Sequence, residues 1–234
     1  MTTTPSSTRP LGYAAAYLAA ALVAAMFYFL VGTDYPSVTD PSAKVDLLVQ
    51  HELGIHVTYL IAYVGFGLVL AVLALGLSSR MAPAAPTTAR VAGAVGVIWA
   101  GMLVASGMVF VVGMGSVVDL AATDPGAAVS VWQAIEPVAA GLGGAGGEIL
   151  GGTWVLLVSL ASLRGHLLPT WLMWLGVVVG AAGILSTVPG LAGIAVLFGL
   201  LVIIWLTGLA VVLLREDPAG SAPSTVGQLV ETAR

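Results

Sequence analysis

The stretch from Leu191 to Leu214 reads LAGIAVLFGLLVIIWLTGLAVVLL and runs without a charged side chain into Arg215. A helix of about 20 such residues spans a hydrocarbon core about 30 Å thick. A barrel strand would instead alternate apolar and polar residues, which this stretch does not do. Working outward from it, the same character recurs over residues 11–32, 47–77, 91–114, 131–161 and 171–187. Segment 171–187 sits at the short limit for a span, whereas 47–77 and 131–161 are long enough to tilt or to project beyond the hydrocarbon. The first run exceeds the apolar region of about 7–15 residues that marks a secretory signal, so it reads as a membrane anchor. The expected fold is therefore all-α, a polytopic membrane bundle of about six transmembrane helices over residues 11–214. A polar tail precedes it over 1–10, and a tail over 215–234, rich in Pro, Ala, Ser and Gly, reads as disordered.

Composition agrees. Of 234 residues 59% are hydrophobic and only 8% charged, against about 25% charged in a soluble domain. Mean hydropathy is +1.07. Seven basic and eleven acidic side chains cannot cover a water-facing surface of this size. The net charge of −4 is small and dispersed, which argues against a nucleic-acid partner and leaves the lipid bilayer as the expected environment. With no cysteine, disulfides, iron–sulfur clusters, zinc–thiolate sites and thiol catalysis are excluded together.

Charge asymmetry sets the expected orientation. With six spans, Arg9, Arg80, Arg90, Arg164, Arg215 and Arg234 share one side. Lys44 stands alone among basic residues on the other, with Asp34, Asp40, Asp46, Asp119 and Asp124. Basic residues are retained in the cytoplasm, so both termini are expected inside. Tyr28, Tyr35 and Trp132 fall at the expected outer boundary, and Tyr13, Trp171 and Trp174 at the inner one. The preference for Arg over Lys, with abundant Ala, Gly and Val, is usual in high-GC bacteria, which points to a bacterial cytoplasmic (inner) membrane.

Lipid gives helices little hydrophobic reason to associate, so small residues must let backbones approach. Gly143, Gly147 and Gly151 form a ridge of four-residue spacing inside 131–161, and Ala92, Gly96 and Ala100 form another. Either a tight crossing within the bundle or a contact with a membrane partner or second copy would use the first ridge.

Ionisable groups inside a membrane are costly and invite a functional hypothesis. Glu148 lies near the middle of 131–161 with no basic residue at comparable depth. Glu52, His56, Tyr59 and Tyr63 follow four-three-four spacing, which aligns them on one helix face. Glu136 could reach that stripe from an adjacent helix. His51, Glu52, His56 and Glu136 are the residue types that could ligate a metal, though two ligands at i and i+4 are a common pattern. His51 and His56 lie about 7.5 Å apart along one helix axis, and His166 sits at the other membrane face, so bis-histidine haem is set aside. No Gly-x-Ser-x-Gly, Gly-rich loop with Lys, or His-Glu-x-x-His occurs. No cofactor is expected and no catalytic residue is assigned.

One further pattern involves Gly151-Gly-Thr-Trp-Val-Leu-Leu-Val-Ser-Leu160, the basic turn Leu163-Arg-Gly-His-Leu-Leu-Pro-Thr-Trp-Leu172, and Leu175-Gly-Val-Val-Val-Gly-Ala-Ala-Gly183. It resembles the bacterial six-helix membrane family called domain of unknown function 4386. The resemblance is motif-like over 151–183 and implies the six-span layout; that family has no established activity to carry over.

Three functions compete on these residues. The first is binding or transport of a small solute or cation through a polar outward-facing cavity lined by Glu52, His56, Tyr59, Tyr63 and Glu136, with Glu148 at its base. The second is a non-catalytic accessory or sensor subunit of a larger membrane complex. The third is an intramembrane metal-dependent enzyme.

Overall fold

The computed structural model describes residues 8–144, 148–191 and 193–216, and every regular element among them is helical. Helix α1 (Arg9–Phe27) continues through a π-helical turn (Tyr28–Gly32) to a short 3₁₀ turn (Tyr35–Ser37). Helices α2 (Pro41–Gln50), α3 (Glu52–Tyr59) and α4 (Phe66–Met81) follow, the last two joined by a second π-helical turn (Leu60–Gly65). Then come α5 (Pro86–Ala121), α6 (Pro125–Gly143), α7 (Ile149–Gly165), α8 (Thr170–Leu185) and α9 (Ile194–Arg215). Arg9–Gly32, Glu52–Met81, Pro86–Ala121 and Ile194–Arg215 are long and apolar enough to cross a membrane; α7 and α8 are apolar but shorter.

The starts are chemically marked. Proline, which has no N–H to leave unpaired, opens α2, α5 and α6. The carboxylates of Asp40 and Asp124 accept from the N–H groups of Ala43 (2.9 Å) and Ala127 (3.0 Å), capping α2 and α6.

Contacts gather the arginines at one end. The Thr8 hydroxyl donates to the Leu213 carbonyl (2.9 Å), Arg80 pairs with Glu216 (2.7 Å), and Arg164 donates to the Thr88 hydroxyl (3.1 Å). From this basic end α5 runs about 54 Å at 1.5 Å per residue, well beyond the length a membrane requires. Along its first half a large apolar core joins α1, α4, α7, α8 and α9, centred on Leu70, Trp154 and Trp205. Along its far half a second core joins α2, α3 and α6 around Leu48, Ile55, Phe110, Met114 and Trp132.

The structure revises three expectations. Segment 47–77 is not one helix: at His51 the backbone leaves the α region (φ −115°, ψ 20°), and residues 60–65 take wider i→i+5 bonding. Segment 131–161 is two helices, because Gly144 adopts φ +89° and ends α6. Trp132, read from sequence as an outer-boundary aromatic, is fully buried against Phe110 on the far half of α5. Residues 217–234, which hold most of the expected tail and Arg234, lie outside the described residues.

Candidate functional site

At the junction of the two cores lies a cavity of about 470 Å³, walled by α1, α9, the π-helical turn before α4, α5 and the break between α6 and α7. Aromatic side chains are prominent in its wall: Phe29, Tyr35, Tyr59, Tyr63, Phe66, Trp99 and Phe198 all line it. The rings brace one another. Tyr59 stacks on Tyr63 (centroids 4.7 Å apart) and on Phe110, and Phe29 meets Tyr59 edge-on at 5.7 Å. Offset and edge-on ring pairs hold their geometry better than aliphatic contacts of equal area.

Two of the aromatic wall residues owe their positions to π-helical turns. Phe29 lies in the turn ending α1 and Tyr63 in the turn preceding α4. Such insertions shift register within an otherwise regular helix and recur at functional sites.

Glu148 supplies the one carboxyl in the wall. It precedes the first turn of α7, where its N–H donates to the Ser186 hydroxyl (3.0 Å), which donates in turn to the Gly183 carbonyl (2.6 Å). The carboxyl folds over Gly144, where a Cβ would fall 2.7 Å from all three of its terminal atoms. Among the described residues no hydrogen-bond donor or cation meets that carboxyl. Its level is that of Ser186, beyond the end of α8 and a full length of α7, about 25 Å, from the basic end. Glu148 therefore lies between two helices, α6 and α7, and not within one continuous helix over 131–161.

The expected cluster is only partly assembled. Tyr59, Tyr63 and Glu148 meet in the cavity. Glu52 and His51 are exposed and His56 is half-buried, and none is joined to Glu136 by a hydrogen bond or ion pair among the described residues. Glu136 instead accepts from Lys44 Nζ (2.5 Å) and from the Tyr35 hydroxyl (2.8 Å), with Lys44 also 5.1 Å from the Tyr35 ring centroid. Burial, with the Glu136 carboxylate second, pushes the Tyr35 phenol far above its usual range. Tyr35 and the adjoining Pro36 close the cavity toward the acidic end. The polar stripe is therefore divided: Tyr59 and Tyr63 line the cavity, and Glu52 and His56 do not. Among the described residues no group of three His, Asp or Glu comes together in a way that could hold a metal ion.

Gly143 and Gly151 are buried within the chain, against Tyr63 and Ser106 and against Trp99 and Phe198. Gly147 lies outside the described residues. Phe29, Trp99 and Phe198 carried no signal in the sequence, where each is one more aromatic in an apolar run, and Tyr35 reads there only as a boundary aromatic. Comparison with protein families, with curated proteins and with solved structures finds no match to this chain.

Proposed function

We propose that the chain is a six-span protein of a bacterial inner membrane, with both termini cytoplasmic, that binds and passes a small solute through the aromatic cavity at Glu148. Counting α3–α4 and α6–α7 as single crossings, the helix order supports six passages. The collection of arginines at one end supports the orientation. The observation that carries the functional reading is Glu148: a carboxyl without a hydrogen-bond or ion-pair partner among the described residues, facing a cavity large enough for a small molecule, at a break in a helix. A polar group in such surroundings is costly unless something bonds to it, and helix breaks in membrane proteins characteristically line ligand paths.

A hydrophobic carbodiimide tests accessibility directly. The protein in dodecyl maltoside is treated with dicyclohexylcarbodiimide and digested, and peptides are read by mass spectrometry. Selective modification at Glu148, absent in Glu148→Gln, is the expected result. Modification of other carboxyls with Glu148 untouched would show that no solute reaches it, and the reading would fall.

A further inference from the structure

We infer that the cavity takes a monovalent organic cation with an apolar body, admitted from the side between α1 and α9; this rests on the binding reading above and narrows it. Three observations converge on that class. The wall contains no Lys, Arg or His; its titratable groups are Glu148 and the phenols of Tyr35, Tyr59 and Tyr63. An anion would therefore face a carboxyl and the negative faces of aromatic rings, with no cationic side chain among the described wall residues and only phenol hydroxyls and the Trp99 indole N–H to receive it. A cation finds both attractive partners at once, since ring faces draw ammonium groups and the carboxyl supplies the opposite charge. The same pairing already occurs at the roof, where Lys44 sits over the Tyr35 ring and on the Glu136 carboxylate.

The body of the ligand is apolar because, apart from the Trp99 indole N–H, the remaining described wall side chains are. Leu22, Ala25, Met26, Leu103 and Val202 complete the enclosure, and none offers a side-chain hydrogen bond. A zwitterionic lipid headgroup fits poorly: its ammonium could reach Glu148, but its phosphate would find no basic partner in the wall.

The route follows from what closes each side. Toward the acidic end the roof is held by Tyr35, Pro36 and the Lys44–Glu136 pair. Toward the bilayer, α1 and α9 present small side chains, Ala25, Ala195 and Gly199, and a Cβ built on Gly199 meets nothing within 4 Å. Neighbouring Met26, Val196, Leu197 and Leu200 are exposed on that outer surface, as lipid-facing residues are. A molecule dissolved in the hydrocarbon would enter on this side, past these small side chains.

The test uses an isosteric pair, phenyltrimethylammonium and neutral tert-butylbenzene, with the full-length protein in dodecyl maltoside at pH 8, free of amine-bearing lipid. Binding is measured by titration calorimetry and by quenching of tryptophan fluorescence. The cation should bind at least about tenfold more tightly than the neutral compound. In Glu148→Gln the preference should collapse toward unity while tert-butylbenzene binding persists, which also shows that the variant is folded. Gly199→Phe, which fills the side opening without touching Glu148, should slow association of both compounds at least about tenfold. Equal affinity of the pair in the wild type would overturn the cation class and leave the cavity reading standing. Unchanged rates in Gly199→Phe would overturn the lateral route. Retention of phosphatidylethanolamine in native mass spectra, undisplaced by phenyltrimethylammonium, would assign the site to a lipid headgroup and overturn the inference. Failure of both compounds to bind, with Glu148 also unreactive to carbodiimide, would remove the binding reading itself.

Discussion

Gly152→Ala should destabilise the protein by about 2 kcal/mol. Helices α7 and α8 meet there backbone to backbone: a Cβ on Gly152 would lie 2.7 Å from the Ile184 nitrogen, 2.8 Å from the Gly180 oxygen and 2.9 Å from the Gly183 carbonyl carbon. None of these is the far end of a flexible side chain, so the helices must part by most of an ångström. Overpacking of this kind costs about 1–3 kcal/mol. Separation also stretches the 3.0 Å bond from the Glu148 N–H to Ser186, a further loss of about 0.5–1.5 kcal/mol. Against this stands the intrinsic advantage of Ala over Gly in a helix, about 0.5–1 kcal/mol. Gly101→Ala isolates that last contribution, because a Cβ there meets nothing within 4 Å. It should leave stability unchanged or raise it slightly. Both variants are titrated from dodecyl maltoside micelles into dodecyl sulfate, with the folded fraction read by near-UV circular dichroism. A Gly152→Ala protein as stable as Gly101→Ala would show that α7 and α8 are not in this contact. The placement of Glu148 at the top of α7 would fall with it.

Ser186→Ala removes the acceptor of the Glu148 N–H and a donor to Gly183; it should cost about 1–3 kcal/mol in the same titration and lower carbodiimide labelling of Glu148. Lys44→Met breaks a part-exposed ion pair, so stability should fall by less than about 1 kcal/mol while the Tyr35 ring, freed of its cation, becomes more accessible to iodination. Asp40 is held below the usual carboxylate range by the Ser42 hydroxyl first and the Ala43 N–H second. Its folded-state value is thus lower than its unfolded one, so its stabilisation is present above the unfolded value and is lost as pH falls through the folded one. Asp40→Asn, which caps without titrating, should match the wild type at neutral pH and show a shallower acid dependence of unfolding.

The apolar runs and their punctuation were legible because hydrophobic length and proline placement act locally. Helices α5 and α6 start at Pro86 and Pro125, five and six residues before the expected runs at 91 and 131, and α9 differs from the expected 191–214 at its ends. Tyr59, Tyr63 and Glu148 were legible as residues out of keeping with their surroundings, and they meet. The partner of Glu136 was not legible. Lys44 reaches it from 92 residues away, and only the packing of α2 on α6 reveals that a lone basic residue is already spoken for. The glycine run was ambiguous on physical grounds. Glycine permits both close backbone approach and positive φ. Gly143 and Gly151 serve the first use, and Gly144 at φ +89° serves the second. A hydropathy window averages over both and reports one long span.

The irregular backbone is concentrated at one level of the bundle, and this bears on why the site is there. The π-helical turns at 28–32 and 60–65 and the ends of α6 and α7 at Gly143 and Glu148 all contribute cavity walls. Each departs from regular α bonding in surroundings poor in water, where unpaired backbone groups cost several kcal/mol. Continuous helices with ordinary apolar side chains would avoid that cost and fill the space. A bundle selected for stability alone has no reason to gather three such departures around a cavity whose carboxyl has no partner among the described residues. Irregularities that break local rules together, at one place, mark where another requirement has been met at the expense of packing. Filling the cavity therefore makes a discriminating prediction. Ala62→Leu, at a buried wall position, should keep or raise stability in the dodecyl sulfate titration while abolishing phenyltrimethylammonium binding. A variant that instead loses stability by more than about 2 kcal/mol would show that the volume is already closed by its own side chains, and that the departures serve the fold.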